Sequence, residues 1–362
     1  MAHSSNHEAG RHRLIRYGRL ADGQLQRAAQ AVRPVPHRAA DRRGGDVNEN
    51  RFQILSLDGG GLRGIFSAAI LAALEEDLQI SIVDHFDLIA GTSTGGIIAL
   101  GLGLGLRPRQ IVEFYAELGE QVFRSQLGLR SVRQLLRAKY QPGPLREALA
   151  GVFGDRTFGE SSKRLVITSY NIGADDVYLF RTAHHPRLRR DWRERAVDVA
   201  MATSAAPTYL PSFPLSGTRL VDGGLWANNP AMVAVVEAVG TCSMPLESLR
   251  VFSLGTTVDV RHRSRRLDRG GLLPWARAAV DVILRAQSIS ANNQVYHLLS
   301  PERLMRLNPV VPSGLFALDK SDAGDLIGVA AHTSRAASPR FAECFLDHQA
   351  AQFIPYNLKK ED

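Results

Sequence analysis

The sequence predicts an α/β fold of three layers, α/β/α, around a mainly parallel central sheet. Short apolar runs end in glycine, helical patterns follow them directly, and the two alternate along the chain. Phe52 to Leu57 is the first such run and reads as a buried strand. Beyond its glycines, Phe66, Ile70, Leu74 and Leu78 recur every four residues, which predicts an amphipathic helix over Ile65 to Leu78. The unit then repeats: Phe86 to Ala90 reads as a second buried strand, Gly91 to Gly96 as a sharp turn, and Ile97 to Leu106 as a wholly apolar helix closed by Pro108. Further strands are expected over Leu165 to Tyr170, Val177 to Arg181 and Arg250 to Leu254, with helices near Arg195 to Thr203, Pro230 to Val239 and Pro274 to Ala291. Between Gly119 and Thr157 the pattern is weak.

Hydrophobic residues make up 44% of the 362 residues and charged residues 22%, the balance of a soluble globular protein. Residues 1–50 hold nine arginines against five acids, which is half of the net charge of +8, and have few large apolar residues. They read as a flexible, dispensable basic extension, and 51–362 as one folded domain. Two basic clusters lie within the domain, Arg187, Arg189, Arg190, Arg193 and Arg195, then Arg261, His262, Arg263, Arg265 and Arg266. Each is either a solvated face or a surface for anionic lipid or phosphate; no nucleic-acid partner is expected. Cys242 and Cys344 are too few and too far apart for a disulfide framework or a metal cluster, which suits a reducing cytoplasm. No run approaches the roughly 18 apolar residues that span a bilayer, so the expectation is a soluble, cytoplasmic protein that meets membranes from the side.

Three motifs carry chemistry. Gly91-Thr92-Ser93-Thr94-Gly95 is a Gly-x-Ser-x-Gly between a predicted strand and a predicted helix, the setting of a nucleophile elbow, where small neighbours allow a strained turn. Asp58-Gly59-Gly60-Gly61-Leu62-Arg63-Gly64 is a loop whose bare amides can hold an anionic oxygen, either of a phosphate or of a tetrahedral acyl intermediate. Gly59, Gly61 and Gly64 also fit a dinucleotide-binding fingerprint, with Asp84 and Asp87 somewhat beyond the usual place of the ribose-binding acid. Leu220-Val221-Asp222-Gly223-Gly224 offers a carboxylate that can serve a serine as base, although Asp-Gly-Gly is more often a turn.

In their order and spacing the three motifs resemble the patatin-like phospholipases, and so do Ala202 to Tyr209 and Trp226 to Pro230 beside the aspartate. The resemblance covers about 52–330. It implies a lipolytic acyl hydrolase of membrane phospholipid with Ser93 as nucleophile, Asp222 as base and the amides of Gly59, Gly60 and Gly61 as oxyanion hole. Arg63 matches the family's loop arginine and is expected to brace the loop or favour anionic substrates, with Gly64 closing the loop. The resemblance implies no metal or cofactor and a dyad without histidine, so His262, His297, His332 and His348 are expected to be dispensable. Asp222 to Ala231 and Leu318 to Val329 are further similar to bacterial anti-phage effectors of this family, which implies a cyclic dinucleotide as activator. The rival readings are a constitutive lipase of the same family, a triad esterase, and a dinucleotide-binding protein using the Gly59 to Gly64 loop.

Overall fold

All six residues of the first strand, β1 (Phe52–Leu57), are buried, and their alternation sets up the layers. Leu55 and Leu57 join one hydrophobic core, while Phe52 and Ile54 join a second on the opposite face. The structure is a computed structural model that describes residues 51–118, 138–259, 265–311 and 323–358. The extension over 1–50 and the cluster members Arg261, His262 and Arg263 lie outside the described residues. The chain continues through α1 (Gly64–Leu78), β2 (Leu88–Thr92), α2 (Thr94–Gly103), α3 (Pro108–Leu118), α4 (Pro142–Phe153), β3 (Arg164–Asn171) and β4 (Asp176–Arg181). Then come α5 (Ala196–Thr203), β5 (Phe213–Leu215), β6 (Thr218–Asp222), α6 (Gly224–Ala227), α7 (Ala231–Gly240), β7 (Leu249–Leu254) and β8 (Val258–Asp259). The last elements are α8 (Leu272–Leu299), β9 (Leu304–Leu307), β10 (Val310–Val311) and α9 (Ala323–Phe345).

The main sheet runs β5-β6-β3-β2-β1-β7-β9, with β4 also paired to β3. Its body from β3 to β9 is parallel, and β4, β5 and β6 are the antiparallel exceptions. On one face Phe86 and Phe252 meet Phe341 and Phe345 of α9, with ring centroids of Phe252 and Phe341 5.0 Å apart. On the other, Ala234 and Val235 of α7 and Val295 of α8 cover Val251 and Ile54. The sheet is therefore covered on both sides, as the alternating pattern predicted.

The differences are local. The second strand starts at Leu88 rather than Phe86, because a 3-10 turn over Ile82–His85 delivers the Phe86 ring into the core instead. The apolar helix covers Thr94–Gly103, three residues earlier than expected at each end. Pro108 opens α3 instead of merely closing α2, a position where its missing N–H costs nothing. In the weak region α4 forms with Leu145, Leu149 and Phe153 buried at four-residue spacing, and α9, β9 and β10 were not anticipated.

Candidate active site

Sheet register brings two of the three motifs together. Thr92 at the end of β2 pairs with Thr168 of β3, and the next residue of β3, Ser169, pairs with Asp222 of β6. Strand β4 already occupies the other edge of β3 over Val166 to Asn171, so β2 and β6 meet end to end along one edge. Ser93 follows Thr92 directly and therefore arrives beside Asp222. The Ser93 hydroxyl donates to the Asp222 carboxylate, which also accepts the Gly224 amide at 2.7 Å.

Ser93 is the turn between β2 and α2 and sits at φ 54°, ψ −121°, a conformation side chains rarely adopt. Two features hold it there. The Ser93 amide donates to Thr203 Oγ1 at 2.9 Å, and the Thr203 hydroxyl in turn donates to the Thr168 carbonyl at 2.7 Å. Beneath the turn, Gly95 lies so close to β1 that an added Cβ would stand 2.2 Å from the Leu57 carbonyl oxygen. Backbone on both sides leaves nothing flexible to give way. Gly95→Ala is therefore expected to cost about 3 kcal/mol, at the upper end for overpacking, read as a lowered midpoint in urea denaturation.

The glycine loop runs from β1 to α1, and its members are not equivalent. The Gly59 amide donates to the Asn228 carbonyl at 2.9 Å, which removes it from the expected set of three oxyanion donors. The Gly60 and Gly61 amides carry no hydrogen bond among the described residues, and both residues line the cavity that holds Ser93 and Asp222. Gly61 has φ 59°, a left-handed conformation that suits glycine. Arg63 donates weakly to the Gly60 carbonyl at 3.5 Å, and Gly64 opens α1 packed on Thr94. Asn228 fastens the loop from the far side with its Nδ2 on the Gly59 carbonyl at 3.3 Å, and Thr256 donates to the same carbonyl at 3.2 Å.

Asp222 is buried, and burial outweighs the hydrogen bonds from Ser93 and Gly224, which pull the other way, so that its pKa is pushed up from 3.8 to about 6. A carboxylate so placed is a stronger base than an exposed one and is still ionised at neutral pH. The cavity beside it measures about 150 Å³, with walls that include Leu62, Ile97, Tyr115, Leu145, Leu210 and Leu225. Such a lining suits an acyl chain. No described histidine borders this cavity. His348 pairs with Asp87 at 2.7 Å, His297 and His332 are exposed, and His262 lies outside the described residues. Asp87 precedes β2 at the end of the sheet opposite the glycine loop, so it cannot complete a dinucleotide site with Gly59 to Gly64. Among the described residues no group of His, Cys, Asp and Glu gathers to hold a metal, and no helix is long and apolar enough to cross a membrane.

Three positioning residues lie outside the three motifs. Thr203 and Asn228 belong to the flanking segments Ala202 to Tyr209 and Trp226 to Pro230, while Gln287 on α8 belongs to no motif. Gln287 donates to the Gly224 carbonyl at 2.7 Å and accepts from the Asn228 amide at 3.0 Å, bridging the loop that carries Asp222. A glutamine on a long amphipathic helix is indistinguishable from a surface residue until the packing of that helix is known.

The model of the patatin-like phospholipase family matches residues 55–235, which contain all three motifs. A cGAMP-activated phospholipase of Pseudomonas aeruginosa is 35% identical over 257 residues, 68% of this chain and 75% of that protein. One from Escherichia coli is 38% identical over 53% of this chain and 57% of its own length, and patatin-like protein 2 of Arabidopsis thaliana is 32% identical over 62% and 65%. This chain thus spans three quarters of the first relative and less than two thirds of the other two. On the family match and on the Pseudomonas relative, the chain belongs to the patatin-like phospholipase family.

Proposed function

We propose that the protein is a phospholipase that cleaves fatty-acyl esters of membrane phospholipid with Ser93 and Asp222 and is switched on by a cyclic dinucleotide. The observation that carries the chemistry is Ser93 in a strained turn, hydrogen-bonded to a buried carboxylate at the mouth of an apolar cavity. Asp222 takes the hydroxyl proton as Ser93 Oγ attacks the ester carbonyl, and the Gly60 and Gly61 amides receive the oxyanion. The proton passes to the departing alkoxide, which leaves as lysophospholipid. Water then attacks the acyl-enzyme, giving its proton to Asp222, and the fatty acid departs as Ser93 is reprotonated. Arg63 braces the oxyanion loop through Gly60, and Gly64 starts the helix behind it.

Nucleotide control is supported by the likeness to the Pseudomonas and Escherichia relatives, which are cGAMP-activated phospholipases. A ligand can switch the enzyme only by binding its active state more tightly than its resting state. The test is fatty-acid release from phospholipid vesicles with and without cyclic GMP–AMP, beside a soluble short-chain ester. At least a tenfold rise in vesicle hydrolysis is expected with the nucleotide. Full vesicle activity without it, and no response to it, contradicts the gating and leaves the Ser93 chemistry standing.

A further inference from the structure

A second cavity, of about 300 Å³, lies across Gly59 from the acyl cavity, and Asn228 and Leu284 border both. It sits at the carboxyl ends of β1, β7 and β9, where ligands of open α/β sheets gather. Its character differs from that of its neighbour. Arg63 and Arg285 line it together with Asp259 and Asp281, and Thr257 and Asn308 complete the polar wall. Guanidinium forks match phosphate oxygens in paired hydrogen bonds, while carboxylates accept from an ammonium group or from the N–H edge of a base.

Two further observations mark this wall as built for a ligand. Thr257 is β-branched yet sits at φ 73°, where such a side chain is strained, and backbone strain of this kind concentrates at functional sites. The Thr257 side chain is also buried, at 5% exposure, and its hydroxyl has no hydrogen-bond partner among the described residues. The Asn308 carboxamide oxygen is buried and unpartnered in the same way. Buried polar groups are nearly always paired, so two orphans on one cavity wall call for a function.

We propose that this cavity binds a phosphodiester that also carries a hydrogen-bond-donating group, with the arginines on the phosphate and the carboxylates on the donor. The two sources of that chemistry are the head group of the lipid substrate and the cyclic dinucleotide, so the proposal rests on the functional reading above for its candidates. A ligand here touches both halves of the catalytic machinery. One wall is Asp58 and Gly59 of the oxyanion loop; another is α8, which holds the Asp222 loop through Gln287.

The test is calorimetric binding of two probes, glycerophosphoethanolamine and cyclic GMP–AMP, to the full chain and to the Thr257→Val and Arg285→Gln variants. Thr257→Val keeps the shape and removes only an unpaired hydroxyl, so its melting temperature is expected not to fall and weakened binding is not confounded by unfolding. At least one probe is expected to bind the wild type, and each variant to bind that probe at least tenfold more weakly. Loss confined to glycerophosphoethanolamine identifies a head-group subsite; loss confined to the nucleotide identifies the activator's site. Failure of both probes to bind the wild type, or wild-type affinity in both variants, overturns the proposal. Because binding is read without turnover, absence of lipolysis would count against the functional reading and not against this site.

Discussion

Replacing Ser93 with alanine, or Asp222 with asparagine, is expected to lower ester turnover at least ~10³-fold each, and the double variant is expected to be no worse than either single one. Nucleophile and base act on one proton, so their losses do not add. Asp222→Asn carries a second expectation of opposite sign, because it should make the fold more stable. Burial raises the Asp222 pKa from 3.8 to about 6, which means that the folded protein holds an ionised carboxylate at a cost. A shift of roughly two units corresponds to about 3 kcal/mol at pH 7. The direction with pH follows from that sign. A raised folded pKa favours folding below the unfolded value near 4, and the advantage is lost as pH rises through about 6. The asparagine still accepts the Gly224 amide and bears no charge. Its melting temperature should exceed that of the wild type at pH 7.5, and the gap should close by pH 4. A variant less stable than wild type at pH 7.5 would contradict the account of Asp222 as a base held ready by burial.

The second large effect is expected at the root of the glycine loop. Asp58 and Arg306 form a two-pronged pair, Nη1 to Oδ1 at 2.7 Å and Nη2 to Oδ2 at 2.5 Å, and the same Nη1 reaches Ser253 Oγ at 2.7 Å. Burial pushes the Asp58 pKa up, with Arg306 pulling against it, so the guanidinium is what keeps a buried charge tolerable. Arg306→Met should cost about 3–5 kcal/mol, because it strands the carboxylate. Adding Asp58→Asn should restore part of that loss, since no buried charge then remains unpaired. Ester turnover should fall in both, as Asp58 directly precedes Gly59. Urea denaturation of the single and double variants measures the pair, and a cost below about 1 kcal/mol for Arg306→Met would show that the ion pair does not hold the loop.

Much of this architecture is legible in the chain because strand and helix periods are strong where both faces of a sheet are covered. Phe52–Leu57 and Arg250–Leu254 read as strands since apolar residues dominate both runs despite Gln53 and Arg250, and the elbow is legible because glycines flank Ser93 two residues away on each side. The patatin-like family itself was legible from the order of three motifs, and the family match agrees. Other features required the third dimension. Whether Gly59, Gly60 or Gly61 offers its amide depends on Asn228, far along the chain, whose carbonyl takes the Gly59 amide. Helix α9 is hard to read from sequence because Pro339 lies inside it, where a proline argues against a helix, although Phe341 and Phe345 anchor it in the core. Strands β9 and β10 are only four and two residues long, too short for any period to register. The Asp58–Arg306 pair spans 248 positions, and no local pattern announces it.

The central claim is that Ser93 is the nucleophile and Asp222 its base. Reaction of the full chain with a fluorophosphonate, followed by mass spectrometry of its peptides, tests this most directly, because the reagent marks only an activated serine. The account predicts one adduct per chain, on the peptide containing Ser93, absent in Ser93→Ala and formed far more slowly in Asp222→Asn. An adduct on any other serine, or undiminished labelling of Ser93 without the Asp222 carboxylate, would contradict it.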